Sequence, residues 1–486
     1  MVVLRQIPNA LLAVFALLLP LAILYRFGED ATVFLAAAIG LLAAWFLYIK
    51  SWQKQLFIGL VATLFFSVEI PLLGGAALSV PAEPLALILA PTVLLTFFQN
   101  PNLLREYFRE PILWALAALH ISLLLSMAFS GMFLVSAKYV FIVTVFVLVG
   151  VFAFAELWQR DDFSMQKVLR ILVFPALFFS LFAVYNLLPY RFNPGAASLI
   201  GLPFFKDHTV FSATFSMFVP LFVLWNTFKT STKKSDWIFP AVGIALLFAL
   251  FISSSRAAWL AILLAGAFYG FVRIGGTLKL FGLGFGLFLL SLWFFADSIE
   301  EKLFVNQYKS TEAAGGLQEQ ALSVTNINSD VSNMERLNRW KSAIAMGLDR
   351  PFVGFGPGTY QFEYFPYQRD ADKTYISVDS PFNTIVGRGG SAHSEYLLLF
   401  SESGFAGMLA WIALQIALLF SFFNIWNGNL EKRDKNLALA TYLGVLTYTV
   451  HSLFNNYLNS AQFGLSWWML VGALLYLAIK NKKHVA

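Results

Sequence analysis

The sequence predicts an all-α polytopic membrane protein. Of its 486 residues, 59% are hydrophobic and only 12% are charged, whereas soluble domains carry about 25% charged residues. The apolar residues also fall in runs long enough to cross a bilayer. These two observations exclude an ordinary soluble enzyme. The chain has no cysteine, which excludes a disulfide scaffold, a thiolate metal site and a cysteine nucleophile.

Fourteen apolar segments follow one another along the chain. Several are nearer to about 16 than 20 residues, so two or three are candidates for half-helices and we expect about 12 to 14 transmembrane helices. The first segment is not expected to be a cleaved signal peptide, because no Ala-x-Ala site follows it and a charged turn at Arg26 leads directly into the next. The segments are centred in 9–25, 31–49, 56–73, 83–98, 112–129, 135–157, 168–188, 210–228, 237–253, 257–272, 278–296, 404–426, 436–454 and 463–479.

The basic residues predict the orientation of these helices. With both termini in the cytoplasm, the cytoplasmic segments hold 19 of the 33 lysines and arginines, and the short outer loops hold only five. This asymmetry follows the positive-inside rule. The net charge of +6 therefore reflects orientation, and we expect membrane lipids rather than nucleic acid as partners.

One long outer loop, from about Asp297 to Ala392, holds the remaining nine basic residues. Ser332 and Glu335 have the spacing of a capping box, which predicts a helix at 333–348 on the outer face of the membrane, ending before Pro351. The apolar positions of this helix are Leu337, Trp340 and Ile344.

The sequence Gly354-Phe-Gly-Pro-Gly358 predicts a turn after this helix. The aromatic side chains that follow are suited either to stacking on sugars or, as we favour, to the level of the lipid headgroups. They are Tyr360, Phe362, Tyr364, Phe365 and Tyr367.

We divide the chain into four regions at the ends of the loop and of the central helices. They are N-terminal transmembrane helices (1–188), central transmembrane helices with outer arginines (189–296), the large outer loop (297–403) and C-terminal transmembrane helices (404–486).

Basic residues on the outer side are candidates for function, because the orientation rule disfavours them there. Arg256 lies in a connection so short that its guanidinium must be close to the outer interface, where it requires a carboxylate, a phosphate or contact with the headgroups. Arg191 and Lys206 precede the next helices and extend a basic patch that would bind a diphosphate without a metal. Solvated loop cations, or pairing of Lys206 with Asp207, are the alternatives. We add Arg388, shortly before His393, to the diphosphate-binding candidates.

His393 is the candidate general base. We expect it in the first turn of a helix, where the helix dipole disfavours the imidazolium and leaves a neutral ring that accepts a proton. The alternative is a structural histidine. Glu395 and Glu402 either orient the ring or the acceptor or are solvated, and His451 is a second outer histidine near the same cavity. The spacing of acidic residues and histidines indicates no metal site, and no cofactor is expected.

The sequence resembles the bacterial O-antigen ligases in two motifs. His393-Ser394, followed by nine residues and Gly404-Phe-Ala-Gly407, is similar to their histidine signature, and Ser255-Arg256-x-x-x-Leu260 is similar to their outer Arg-x3-Leu element. The Gly354–Gly358 turn also resembles the domain they share with O-antigen polymerases and O-linked oligosaccharyltransferases. The similarity extends over roughly residues 190–460.

The resemblance implies a GT-C-like, metal-independent glycosyltransferase of the bacterial inner membrane, with the active site and the large loop in the periplasm. Such enzymes move a preassembled glycan from undecaprenyl diphosphate to an acceptor hydroxyl, which for a ligase belongs to lipid A–core oligosaccharide in lipopolysaccharide biosynthesis. The resemblance implies that His393 is the base and that Arg256 and Arg191 bind the diphosphate. Ser394, Gly404 and Gly407 are supporting residues through the motif.

Three alternatives remain open from the sequence. An O-antigen polymerase uses the same donor with a different acceptor, and so does an O-linked protein oligosaccharyltransferase. A lipid-linked oligosaccharide flippase would match the number of segments, but it needs no 96-residue outer loop, and its charged residues should line the helices.

Overall fold

The computed structural model describes residues 52–71, 77–160, 163–230, 233–295, 331–374, 377–378 and 390–483. The predicted segments 9–25 and 31–49 and the candidate Arg388 lie outside the described residues. In the described ranges the chain is an all-α polytopic membrane protein, as predicted. Eight helices in these ranges are long and apolar enough to cross a membrane.

The elements alternate apolar helices with short connections. Those before the outer loop are α1 Gln53–Thr63, β1 Val68–Pro71, β2 Ala77–Val80, α2 Ala82–Gln99, α3 Pro101–Tyr107, α4 Pro111–Ala128, α5 Phe133–Val147, α6 Phe154–Gln159, α7 Met165–Leu187, α8 His208–Ser216, α9 Val219–Val223, α10 Trp225–Phe228, α11 Ile238–Ile252, α12 Arg256–Arg273 and α13 Leu278–Phe294. Those of the loop and the C-terminal part are α14 Val331–Asp349, α15 Tyr360–Glu363, α16 Glu395–Asn427, α17 Lys432–His451 and α18 Ala461–Lys483.

Every predicted apolar segment from residue 56 onward contains helix. In two of them the helix differs in extent from the predicted segment. Within 56–73 the chain leaves the helix and forms β1, which pairs antiparallel with β2, because β-branched residues and Pro71 disfavour further helix. The helix that contains the apolar segment 404–426 begins well before that segment. Helix α16 begins at Glu395, with Ser394 as its N-cap.

Helix α18 forms the centre of the bundle, where it crosses a π-helical segment, Leu148–Ala153, that joins α5 to α6. A Cβ at Gly150 would lie 2.6 Å from Trp468 Cβ, and one at Gly472 would lie 2.7 Å from the Gly150 carbonyl oxygen. Glycines at this crossing therefore permit the close backbone approach that stabilises helix pairs in membranes.

Helices α12 and α17 pack together with opposite directions and have distinct polar ends. Arg273 at the end of α12 and Lys432 at the start of α17 line one cavity. Arg256 and His451 mark the other ends of the same helices, about 27–30 Å away for helices of 18 and 20 residues.

The described part of the outer loop has a hydrophobic core of its own. Helix α14 confirms the helix predicted at 333–348, but the predicted capping box is wrong. Ser332 lies inside the helix, and the Glu335 carboxylate accepts hydrogen bonds from Arg339 and Ser377 instead.

The aromatic residues after α14 pack inside this core. Tyr360 and Tyr364 are buried and stacked, with ring centroids 5.1 Å apart, and Phe365 is buried beside them. The preference for a position among the lipid headgroups is therefore wrong for these three side chains. They hold α14 in place over the start of α16.

Candidate active site

The sequence predicts that His393 lies in the first turn of a helix. In the structure it lies two residues before α16. Its backbone is left-handed (φ 51°), and its carbonyl oxygen accepts a hydrogen bond of 3.0 Å from Trp340 Nε1 on α14. Ser394 then caps α16 by accepting from the Leu397 amide at 3.4 Å. Gly390, with φ 81°, itself lies against the Arg339 guanidinium, where a Cβ would be 2.6 Å from an Arg339 nitrogen. The loop helix and the helix cap together fix the position of the histidine.

The electrostatic surroundings keep the His393 ring neutral. Its pKa falls to about 4, first because burial disfavours the imidazolium and then because Arg336 and Arg339 are close. A hydrogen bond with Asn455 and the charge of Glu335 oppose this shift. The predicted neutral state is therefore supported, but burial and the two arginines cause it, in place of the helix dipole.

Asn455 links His393 to His451. Helix α17 ends at His451, whose carbonyl oxygen accepts a hydrogen bond from the Asn455 amide at 3.1 Å. The Asn455 side-chain amide also lies 3.0 Å from His451 Nε2 and is hydrogen-bonded to His393. An amide that donates to one imidazole offers its oxygen to an N–H of the other, which leaves the second His393 nitrogen as a proton acceptor.

Arg336 on α14 is the positive charge shared by the outer histidines. It acts on His393 and His451, and it acts on His208 together with Arg256. The other arginine of this helix, Arg339, is buried in an ion pair of 2.6 Å with Glu335. Arg336 is not among the candidates predicted from the sequence, because α14 was interpreted only as an amphipathic helix. The sequence signal that could have identified Arg336 is its position, one turn from the apolar face of the outer helix.

Arg256 is the first residue of α12, and its turn is held against α8. Ser212 Oγ lies 2.8 Å from Ser253 Oγ and donates to the His208 carbonyl oxygen at 2.5 Å. The charges of Arg256 and Arg336 both act on His208, from the membrane bundle and from the loop respectively. This pair combines one arginine that the sequence predicted as a site residue with a second that it did not.

Arg191 and Lys206 are exposed on the connection between α7 and α8. The positive charges with the strongest effect on His208 are Arg336 and Arg256, although Lys206 is only two residues away in the chain. The alternative pairing of Lys206 with Asp207 finds no support, since Asp207 Oδ1 caps α8 by accepting from the Thr209 and Val210 amides. The structure therefore gathers Arg256 and Arg336 at the histidines, and leaves Arg191 and Lys206 on the surface.

Glu395 holds the loop that carries Asn455. Its carboxylate is buried and accepts a hydrogen bond of 2.6 Å from Tyr448. The Tyr448 hydroxyl in turn accepts from the Tyr457 amide at 3.0 Å. The Tyr457 hydroxyl is hydrogen-bonded to Thr209 at the start of α8. This chain ties α16, α17 and α8 together, so Glu395 acts on the site through the scaffold.

Gly404 breaks the hydrogen-bond ladder of α16. With φ 66° and ψ −165° it is non-helical, and the Phe405 amide donates to the Pro351 carbonyl oxygen at 2.7 Å. The released carbonyl groups of Ser401 and Glu402 accept from Phe355 and Gly356 at 3.1 and 2.8 Å. The glycine break therefore binds the segment after α14 directly to α16.

Two further residues complete this junction. Glu402 Oε1 accepts from the Tyr360 amide at 2.9 Å, and its side chain is buried, so the alternative of a solvated carboxylate is wrong. A Cβ at Gly407 would lie 2.6 Å from Ser403 Cβ. Both glycines of the histidine motif thus serve close packing, which places α14 and Arg336 over His393.

We expect Gly404→Ala to destabilise the protein. Alanine would place a Cβ 2.4 Å from the Pro351 oxygen, in a backbone region that costs a non-glycine residue about 1–3 kcal/mol. The midpoint of thermal unfolding in detergent, followed by tryptophan fluorescence, should fall. Gly266→Ala in α12 is the control, because a Cβ there meets no atom within 4 Å. Equal midpoints for both variants would contradict this role of Gly404.

Part of the chain matches a known family. Residues 241–412 match the family model described as O-antigen ligase, whose members are glycosyltransferase-like enzymes. The match includes Arg256, Arg336, His393 and the break at Gly404, whereas Asn455 and His451 lie after it. No curated protein matches the chain.

Proposed function

We propose that the protein is an O-antigen ligase, a glycosyltransferase that moves a preassembled glycan from undecaprenyl diphosphate to lipid A–core oligosaccharide. The observation that carries the proposal is the neutral, partly buried His393, bound to Asn455 and flanked by Arg336. This is a proton acceptor beside a binding site for anions. The matched family model supports the same class of reaction.

The chemistry requires one base and a stabilised leaving group. The free His393 nitrogen takes the proton of the acceptor hydroxyl, and the acceptor oxygen forms a bond to the anomeric carbon of the donor sugar. The bond from that carbon to the diphosphate oxygen breaks, and its electron pair remains on the diphosphate. Arg256 and Arg336 stabilise this charge by charge-assisted hydrogen bonds. Arg191 and Lys206 would attract the donor from the surface.

The proposal includes a location and an orientation. The protein resides in the bacterial inner membrane with both termini in the cytoplasm and the His393 site in the periplasm. Arg273, Lys432 and Arg433 lie at the ends of α12 and α17 remote from Arg256 and His451. A cytoplasmic position for these three residues agrees with the positive-inside rule.

Reconstitution with a defined donor tests the function. Purified protein receives undecaprenyl-diphosphate-linked glycan with lipid A–core, or the donor alone, and the products are separated by mass. We expect glycan on the lipid A–core. Lengthened carrier-linked glycan in its place would identify a polymerase, and the absence of both products would contradict the proposal.

The pH dependence of transfer should show that the neighbouring arginines lower the pKa of His393. The neutral form of His393 is active, so activity is lost as the pH falls through its pKa, which is about 4 in the free protein. Bound diphosphate neutralises Arg336 and removes a cause of that low pKa. We therefore expect the acid limb of kcat at a higher pH than the acid limb of kcat/KM for the donor.

The variant Arg336→Gln provides the control for this pH dependence. It removes the positive charge from the free protein, so its kcat/KM profile should shift toward higher pH than that of the wild type. Coincident limbs for kcat and kcat/KM in the wild type, with no shift in the variant, would contradict the proposed coupling between the arginine and the base.

A further inference from the structure

A second polar cavity lies at the opposite ends of α12 and α17 from Arg256 and His451. We call it the basic pocket. It has a volume of about 410 Å³, and its lining residues are Thr227, Lys229, Arg273, Lys432, Arg433 and Asn436. Four of these six residues are cations. The length of α12 and α17 separates the pocket from the candidate active site by about 27–30 Å, so it forms a separate site.

The carboxylates near the basic pocket pair with two of its cations. Asp236 is 3.2 Å from Lys229, and Glu431 and Asp434 lie 3.4 and 3.7 Å from Arg433. None of them is among the lining residues. These pairs orient two of the cations, while Arg273 and Lys432 are exposed at the opening. The wall that a ligand would meet is therefore positive.

Asn436 adds a specific polar group to this wall. It is buried, with 5% of its surface exposed, and its Nδ2 donates to the Thr227 carbonyl oxygen at 2.9 Å. Its Oδ1 has no hydrogen-bond partner within the part of the chain that the structure describes. A buried amide oxygen normally accepts a hydrogen bond, and the neighbouring cations favour an anionic ligand.

We propose that the basic pocket binds a phosphate ester that carries a free hydroxyl group. The phosphate oxygens accept from Arg273, Lys432 and Arg433, and the hydroxyl donates to Asn436 Oδ1. The positive-inside rule explains basic residues in loops, but it requires neither a cavity between helices nor a buried amide within it. Basic pockets between transmembrane helices on the cytoplasmic side bind phospholipid headgroups. A glycerophospholipid and free glycerol phosphate share the required chemistry.

Binding measurements on the full-length protein in detergent test this site. Native mass spectrometry gives the affinities for phosphatidylglycerol and phosphatidylcholine, and calorimetry gives that for glycerol 3-phosphate. We expect phosphatidylglycerol to bind at least about tenfold more tightly than phosphatidylcholine, and the double variant Arg273→Gln/Lys432→Gln to lose this preference. Both residues are exposed, so their replacement should leave the packing intact.

The matched control is Arg105→Gln/Lys279→Gln, which removes the same charge from exposed positions outside the pocket. It should keep the wild-type preference. Competition by glycerol 3-phosphate would identify a soluble ligand, and failure to compete would identify the lipid headgroup. The proposal is overturned if neither phosphate ester is preferred by the wild type, or if the control variant loses the preference equally. Because the readout is binding, the result is independent of glycan transfer.

Discussion

Replacing His393 with alanine should abolish most glycan transfer. A general base contributes about 10²–10⁴-fold to a rate. His393 combines a neutral ring, a bound amide and adjacent arginines with partial exposure, whereas His451 is fully buried. We expect kcat to fall by this factor. The KM for the donor should change little, because the arginines that bind the diphosphate remain. Transfer measured at saturating donor and acceptor separates these two parameters.

A matched histidine distinguishes loss of the base from loss of the fold. His120 lies on α4, and its Nδ1 is hydrogen-bonded to the Leu116 carbonyl oxygen of its own helix, at 3.0 Å. His120→Ala should therefore retain transfer, and both variants should be expressed at wild-type levels. Normal amounts of transferred glycan in His393→Ala would refute the role of His393 as the base.

Asn455→Ala adds a test of the positioning role. If Asn455 fixes the ring nitrogen that faces the acceptor, its loss should lower kcat and leave donor KM unchanged. Asn455→Asp should also shift the acid limb of the pH profile upward, because a carboxylate raises the pKa of a neighbouring imidazole. A purely structural Asn455 would lower stability without moving the pH profile.

The helical segments could be predicted because a long apolar run indicates burial in lipid, whatever its position in the chain. The segment 56–73 was the exception, since a hydropathy run does not separate a helix from a short hairpin such as β1 and β2. Arg256 and His393 were also candidates from the sequence. Each lies beside a helix start that the hydropathy pattern locates, and each is an unusual residue for that position.

The rest of the site depends on contacts between distant segments. Arg336 reaches the histidines only because the break at Gly404 binds the segment after α14 to α16. Asn455 reaches His393 because α17 ends beside the start of α16, where the Glu395 amide donates to the Ser452 carbonyl oxygen at 2.9 Å. Similarly, aromatic residues in a loop have the same spacing whether they face a ligand or, like Tyr360, form a core.

Removing the two arginines near His208 should impair donor binding and the chemical step together. Arg256→Lys keeps the charge but loses the planar fork that binds phosphate oxygens in pairs. Arg336→Ala removes the charge entirely. We expect each to lower kcat/KM for the donor by about 10²–10³-fold, the range measured when one donor to a developing oxyanion is removed. Wild-type transfer by Arg256→Lys would reduce that residue to a point charge.

The size of the double-variant effect tests whether the two arginines bind one group. If Arg256 and Arg336 hold the same diphosphate, the double variant should lose less than the product of the single losses, because neither alone fixes the leaving group. Arg369→Ala is the control on the same loop, since its side chain is 70% exposed, and it should transfer at the wild-type rate. Strictly multiplicative losses would mean that the two arginines bind independent groups, and the proposed diphosphate site would then be limited to one of them.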